Sequence, residues 1–212
     1  MEHLSTVALE AGLDVIRDSP RDRGRVELVV RRPAIDEREV LAEGTLDVRV
    51  GLVGDIWLKR GSRRTADGSS HPDMQLNIMN SRAALLVARD PVRRQLAGDQ
   101  LFVDLDLSTA NLPPGTRLAL GSAVVEVTDQ PHRGCAKFAA RFGLDALRFV
   151  NSPVGKRLRL RGLNARVAVS GTVRPGDVIR KLPAGELGAL GAGDRQPERT
   201  AAPAAAAGPG PA

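Results

Sequence analysis

Short strand-like runs that follow one another closely constrain the fold of this chain more than any other feature. Alternating apolar residues, rich in valine and leucine, predict strands over residues 25–32, 45–50, 74–79, 100–107, 117–120, 123–127, 165–170 and 177–182. Glycine and proline turns separate these runs, and Gly121-Ser122 is typical of a hairpin connection. We therefore expect a mainly β fold, a barrel or sandwich core decorated by a few short helices.

The helices predicted from residue spacing are few and short, at residues 6–17, 81–89, 134–142 and 145–150, and Ser81 is the expected N-cap of the second. Near the end of the domain, leucines alternate with Arg157, Arg159 and Arg161. That alternation predicts a strand with the three arginines on one face. Such a row is either a solvated edge or one wall of an anion pocket, and the sequence leaves both open.

Composition divides the chain into three parts. Residues 1–23 form an ambiguous N-terminal extension, residues 24–182 one folded domain, and residues 183–212 a tail of alanine, proline and glycine that is expected to be disordered. The first twenty residues carry early acidic groups and no long apolar run, so we expect neither a secretory signal nor a membrane span. A single cysteine suits a reducing compartment, and a cytoplasmic location is expected.

The charge balance permits an anionic partner but does not identify one. The formal net charge is +6, the pI is about 10.5, and most of the positive charge is arginine, whose planar fork suits phosphate and carboxylate. Aromatic residues make up 2% of the chain and tyrosine is absent, which disfavours base stacking and hence a nucleic-acid partner. A non-catalytic basic binding module nevertheless stays an alternative.

The segment TDQPHRGCAKFAARFG, residues 128–143, carries the one cysteine of the chain, Cys135. Arg133 and Lys137 lie within two residues of it, and His132 lies three residues before it. The thiolate is the form that attacks electrophiles and binds soft metals, and cations or a helix N-terminus favour that form. This setting makes Cys135 the candidate catalytic residue and metal ligand.

A structural role for the same cysteine is also open. Cys135, Phe138, Ala139 and Phe142 share the spacing of one apolar helix face, which is typical of a buried core cysteine. A structural zinc site is disfavoured, because it needs four ligands and the chain offers one cysteine and three scattered histidines.

Together, the segments RVELVVRRP, GLVGD, MQLNIMNSR, RLALGSAVVEVTD, PHRGCAKFAARFG and LRLRGLNARVAVSGTVRPGDVIR resemble the MOSC domain, the module at the C-terminus of molybdenum cofactor sulfurases. The resemblance covers residues 24–182. It implies a β-barrel with a positively charged groove and one cysteine. In that family the cysteine either ligates molybdenum held by a pyranopterin cofactor or carries sulfur as a persulfide.

By motif position, the resemblance makes Asp55, Asn77, Arg82, His132 and Arg133 cofactor-binding pocket residues beside Cys135, although Gly-Asp at residue 55 is also an ordinary turn. The chain is similar to small bacterial members linked to reduction of N-hydroxylated bases. That likeness implies a small-molecule substrate and an external electron donor. The alternative is a sulfur carrier loaded by a cysteine desulfurase. No lysine has a context that supports a pyridoxal phosphate site in this chain.

Overall fold

The computed structural model describes residues 3–183, which form a closed β-barrel with short helices around it. In chain order the elements are α1 (Thr6–Ala11), α2 (Leu13–Arg17), β1 (Arg23–Arg31), β2 (Glu39–Leu41), β3 (Gly44–Asp47), β4 (Gly51–Leu52), α3 (Trp57–Arg60), a 3₁₀ turn (Pro72–Met74), β5 (Leu76–Asn80), α4 (Ser81–Ala88), a second 3₁₀ segment (Pro91–Ala97), β6 (Leu101–Asp104), β7 (Arg117–Leu120), β8 (Ala123–Val127), α5 (Ala136–Phe142), α6 (Leu144–Asn151), α7 (Pro153–Leu158), β9 (Leu163–Val169), β10 (Gly171–Val173) and β11 (Val178–Lys181).

Seven strands close the barrel in the order β1-β11-β7-β8-β9-β5-β6, and β6 returns to β1. All neighbours are antiparallel except β5 and β6, which are parallel and are joined through α4 and the second 3₁₀ segment. A parallel pair needs such a crossover, because a tight turn can join only antiparallel strands. β2 extends β1 outside the ring, and β10, β3 and β4 form a separate three-stranded sheet.

The core has two layers because successive side chains of a strand point to opposite faces. On β5, Ile78 packs inside the barrel and Met79 packs outside, and on β6 Val103 and Phe102 divide in the same way. The outer layer lies between the barrel and the helices. It contains all four phenylalanines of the chain, together with Leu9 of α1 and apolar residues of α2, α4 and α6.

The predicted mainly β fold with a barrel core and few helices is confirmed. The hairpin strands at 117–120 and 123–127 have the predicted bounds. The predicted helix at 6–17 is two helices, and the predicted strand at 45–50 is shorter, because the chain turns after Asp47. The N-cap of α4 is Asn80 and not Ser81, since the Asn80 side chain accepts a hydrogen bond from the Ala83 amide.

The predicted strand with three arginines on one face is wrong. Ser152 caps α7 with its hydroxyl, Pro153 takes the first helical position, and the helix runs to Leu158. The chain then turns through Arg159, which has a left-handed backbone (φ 49°), before β9 begins at Leu163.

Within residues 3–183, no helix combines the length and the apolar character that crossing a membrane requires. Apart from Pro183, the predicted disordered tail (residues 183–212) lies outside the described residues.

Candidate functional site

A cavity of about 400 Å³ lies between the loop that follows β1, the end of the second 3₁₀ segment, and the loop that leads into α5. We call it the cysteine cavity, because Cys135 lines it. Its lining is strongly basic: the cations are Arg32, Arg38, Arg60, Arg133, Lys137, Arg141 and Arg161. Among the described residues that line it, the one carboxylate is that of Asp36. Such a balance favours an anionic occupant.

Cys135 is exposed and is the N-cap residue of α5, in an extended conformation (φ −127°, ψ 179°). The predicted helix start at residue 134 is therefore two residues too early, because α5 begins at Ala136 and Cys135 precedes its first turn. The interpretation of Cys135 as a core residue is wrong. Phe138 and Phe142 do pack in the outer layer, but the thiol precedes the helix and stays outside that layer.

The loop of residues 129–135, which carries the thiol, is anchored along its length. Asn164 donates to the Gln130 carbonyl over 3.1 Å, and His132 Nε2 lies 2.9 Å from Asp99 Oδ1. Asn151 accepts from the Gly134 amide (3.0 Å) and donates to the Gly134 carbonyl (3.1 Å). A Cβ at residue 134 would come within 2.8 Å of Leu147 Cδ1 and 2.9 Å of Val150 Cγ2, so a side chain there would require these two side chains to shift. These contacts hold Cys135 in a defined place.

The floor of the cavity is a buried ion pair between Arg32 and Asp55. Arg32 Nε donates to Asp55 Oδ2 and Arg32 Nη2 donates to Asp55 Oδ1, each over 2.8 Å. This is the bidentate geometry typical of strong Arg-carboxylate pairs. The Arg32 and Asp55 side chains are 6% and 0% exposed. Arg32 Nη1 also donates to Asn77 Oδ1 and the Gly98 carbonyl, 3.0 Å each. The pair therefore ties β1 to the loop after β4, to β5 and to the turn that leads into β6.

A second buried network joins Asp99, Arg161 and His132. Arg161 Nη1 donates to Asp99 Oδ2 over 2.6 Å, and the Arg161 guanidinium lies 5.1 Å from the centre of the Phe138 ring. Burial disfavours the Asp99 carboxylate, but Arg161 and His132 outweigh that effect and lower its pKa. Burial and the charge of Arg161 lower the pKa of His132. At neutral pH the imidazole is therefore neutral and donates its Nε2–H to Asp99.

The rim of the cavity crowds its cations together. Asp36 accepts from Lys137 over 3.0 Å and from Arg141 over 2.7 Å, and the Lys137 hydrogen bond lowers the pKa of Asp36. Arg38 has no such carboxylate, and its buried Nε has no hydrogen-bond partner among residues 3–183. Burial, with repulsion from Arg141 and Arg32, lowers the pKa of Arg38. Burial and the charge of Arg32 also lower the pKa of Arg60.

Gly98 makes the close approach of these arginines possible. Its backbone is left-handed (φ 93°), a region that favours glycine. A Cβ at this position would come within 3.2 Å of Arg38 Nη2. Its carbonyl is one of the acceptors of Arg32.

The structure brings four of the six predicted site residues to the cysteine cavity: Asn77, His132, Arg133 and Cys135. Asp55 lies beneath the lining and contacts it through Arg32. Arg82 is not in the cavity. Its guanidinium pairs with Asp104 (2.7 Å) and donates to the Val15 carbonyl, so the role of an anion-binding fork in this pocket does not hold for Arg82.

Several residues of the site carry no local sequence signal. Arg32 is the last polar residue of a strand-like run, and Asp99 follows a glycine in a turn. One of the two interpretations left open for the arginines at 157, 159 and 161 was the wall of an anion pocket. Arg161 does line the cavity, but it lies in the turn after α7 and not on the predicted strand. Lys137 and Arg141 do carry a local signal, because they lie one helical turn apart and place two positive charges on the same face of α5.

The sequence matches a protein-family model, and the fold matches solved structures. The family model of the MOSC domain matches residues 71–180, more than half of the 212 residues. Among curated proteins none matches the chain. The solved YuaD protein of Bacillus subtilis is 16% identical with a TM-score of 0.57, and the match covers 74% of this chain and 94% of that one. A solved hypothetical protein is 23% identical with a TM-score of 0.54, covering 80% and 71%.

The two structural likenesses are below 25% identity and show that the fold is shared. The family model covers β5 to β10 and all of β11 except its last residue, the loop of Cys135, and the helices from α4 to α7. The chain therefore belongs to the MOSC domain family.

Proposed function

We propose that this chain binds a pyranopterin molybdenum cofactor in the cysteine cavity, with Cys135 as a ligand of the metal. We propose further that it serves as the reductase component for N-hydroxylated small molecules. The observation that carries this proposal is an exposed thiol in the lining of a cavity that sets seven cations against one carboxylate among the described residues. MOSC domains are associated with molybdenum cofactor binding in general, which agrees with this chemistry.

The donor set of the cavity fits that group. A pyranopterin cofactor bears a phosphate and a dithiolene, so its site needs forked cations for the anion and a soft ligand for the metal. The chain holds one cysteine and can therefore supply one thiolate, which leaves the dithiolene to supply further sulfur ligands. The buried Nε groups of Arg38 and Arg161, which have no partner among residues 3–183, are donors that such a ligand can satisfy.

When bound, the cofactor would supply two-electron transfer at molybdenum. The residues of this chain bind and orient. Cys135 would ligate the metal, and Arg133, exposed and without a partner in the described part of the chain, would pair with an anionic group. His132 holds a proton on Nε2 against Asp99 and leaves Nδ1 as an acceptor. An external electron donor would be required, and we expect the protein to act in the cytoplasm.

The test is to produce the full chain in a host that makes the cofactor and to measure molybdenum and pterin per chain. Wild type should carry both in near-equal amounts, and Cys135→Ser should lose most of the molybdenum. Arg63→Ala is the control, because Arg63 is exposed and lines neither this cavity nor the adjoining one. Absence of both from wild type, or equal content in Cys135→Ser, would refute the proposal. Reduction of an N-hydroxylated base with reduced methyl viologen then tests the activity.

A second candidate is a sulfur carrier that holds a persulfide on Cys135. The exposure of the thiol favours it, because a desulfurase must reach the sulfur atom directly. Mass spectrometry after incubation with a cysteine desulfurase and cysteine should then show one added sulfur on Cys135. An unmodified chain would count against the carrier and leave the cofactor proposal standing.

A further inference from the structure

A second cavity, of about 280 Å³, adjoins the cysteine cavity. Both are lined by His132, Arg133 and Arg161. The second cavity is otherwise formed mainly by the loop after β8, the end of α6, the middle of α7 and the turn that leads into β9. Neither the cysteine nor the ring of Phe138 lines it. It is therefore a separate space with its own chemistry.

The cations that line the second cavity are Arg133, Lys156, Arg159 and Arg161, against the single carboxylate of Asp129 among the described lining residues. Asp129 already accepts a hydrogen bond from the Gln130 side chain (2.9 Å). Lys156 Nζ makes no hydrogen bond or ion pair with any residue of the described range 3–183. The cavity thus has unneutralised positive charge and donors that no protein group in that range uses.

Arg159 lines the second cavity although its backbone conformation is unfavourable and its guanidinium is partly buried. Its backbone is left-handed (φ 49°), which residues with a side chain rarely adopt, and burial lowers the pKa of its guanidinium. One nitrogen, Nη1, donates to the Leu112 carbonyl over 2.7 Å and to the Leu107 carbonyl over 3.4 Å. The rest of the planar fork has no acceptor within residues 3–183, and a fork of this kind matches the oxygens of a phosphate.

We propose that the second cavity binds the phosphate group of a small phosphorylated molecule. Phosphate fits better than an uncharged ligand, because the partly free fork of Arg159, the exposed Arg133 and the unpaired Lys156 line one volume that also leaves room for a small organic group. The residues that set this site apart, Lys156 and Arg159, do not line the cysteine cavity, so the site goes beyond the function proposed above.

The position of Asn151 gives this site a connection to the thiol. Asn151 lines the second cavity and also makes both hydrogen bonds to the backbone of Gly134, the residue before Cys135. Arg161 lines both cavities and holds Asp99, the partner of His132. A ligand that contacts Asn151 or Arg161 therefore contacts a residue that helps to hold the loop of Cys135 in place.

The test uses the full chain without cofactor, with inorganic phosphate, ribose 5-phosphate and ribose as probes in NMR titrations. Gly155 reports on the second cavity and Gly98 on the cysteine cavity, since each glycine lines only one of them. Ribose 5-phosphate should shift the Gly155 amide with saturation, and ribose should not. Ribose 5-phosphate should also bind more tightly than inorganic phosphate; equal affinity would mean that the site takes the free anion and would overturn the assignment to a phosphorylated organic molecule.

Substitution decides whether the site is the one described. Lys156→Ala should weaken the binding seen at Gly155 by about tenfold or more, the loss expected for one hydrogen bond to a charged group. Lys137→Ala, which removes the same charge from the cysteine cavity, should leave that affinity unchanged. No saturable shift at Gly155, or a loss that follows Lys137 and not Lys156, would overturn the proposal. Since no cofactor and no step at Cys135 is involved, this result is separate from the test of the proposed function.

Discussion

Replacing Asp55 by asparagine tests the inference that this carboxylate supports the site from below and does not bind a ligand itself. Asp55 is 0% exposed and accepts from Arg32 Nε, Nη2 and backbone amide and from the Trp57 amide. The amide side chain would keep the volume but leave the buried Arg32 cation without an anion. Removing one partner of a buried ion pair costs about 3–5 kcal/mol, out of a total stability of about 5–15 kcal/mol.

At about 2–4 °C per kcal/mol for a chain of this size, the melting temperature of Asp55→Asn should fall by about 6–20 °C. Calorimetry or circular dichroism measures it. The matched control is Asp14→Asn, which removes a surface pair in which the Arg17 and Asp14 side chains are 50% and 86% exposed, so its loss should be about 0–1 kcal/mol. A double-mutant cycle with Arg32→Met should give a coupling energy of about 2 kcal/mol or more. Equal losses in the two Asp→Asn variants would refute the reasoning.

Three further predictions follow from the loop and the buried network. Cys135 is exposed, so Ellman's reagent should label it completely in the folded protein; labelling that waits for denaturant would contradict the structure. Asn151→Ala removes both hydrogen bonds to Gly134 and should cost about 1–3 kcal/mol, with faster amide exchange at Gly134 than in wild type; unchanged exchange there would show that the two hydrogen bonds do not hold the loop. The folded-state pKa of His132 is lowered from 6.5, so the unfolded chain takes up the proton first, and stability present above about pH 6.5 is lost as the pH falls toward the folded-state pKa. The melting temperature should therefore fall between about pH 7.5 and 5.5 in wild type and less in His132→Asn; an equal fall in the two proteins would show that His132 does not cause it.

The sequence was sufficient where structure is local. The strands of the β7–β8 hairpin alternate cleanly around Gly121, and their bounds could be read directly. The prediction of a strand at residues 157–163 was wrong, because a short run of Leu and Arg fits a strand or the end of a helix equally well. The Ser152 cap and Pro153 start a helix that includes the beginning of this run. The position of Cys135 beside its cations was also predictable, since they are sequence neighbours.

The remainder of the site could not be predicted, since it depends on contacts between distant residues. Arg32 meets Asp55 and Asn77 only when β1 lies against β6, with β5 on the far side of β6. Asp99 meets Arg161 in the same manner. For Arg82, the motif position predicted a pocket residue. Its guanidinium instead pairs with Asp104 at the end of β6, outside the cavity.

The pairing of β1 with β11 determines when the barrel can form during synthesis. Arg23 lies opposite Arg180, and β11 also pairs with β7, so a nascent chain stopped before residue 178 leaves two strand edges without partners. Contacts so distant in sequence form late, and exposed edges invite pairing with other chains. Ribosome-bound chains of this protein should therefore stay sensitive to protease until the last strand has left the exit tunnel, and should become resistant in a single step.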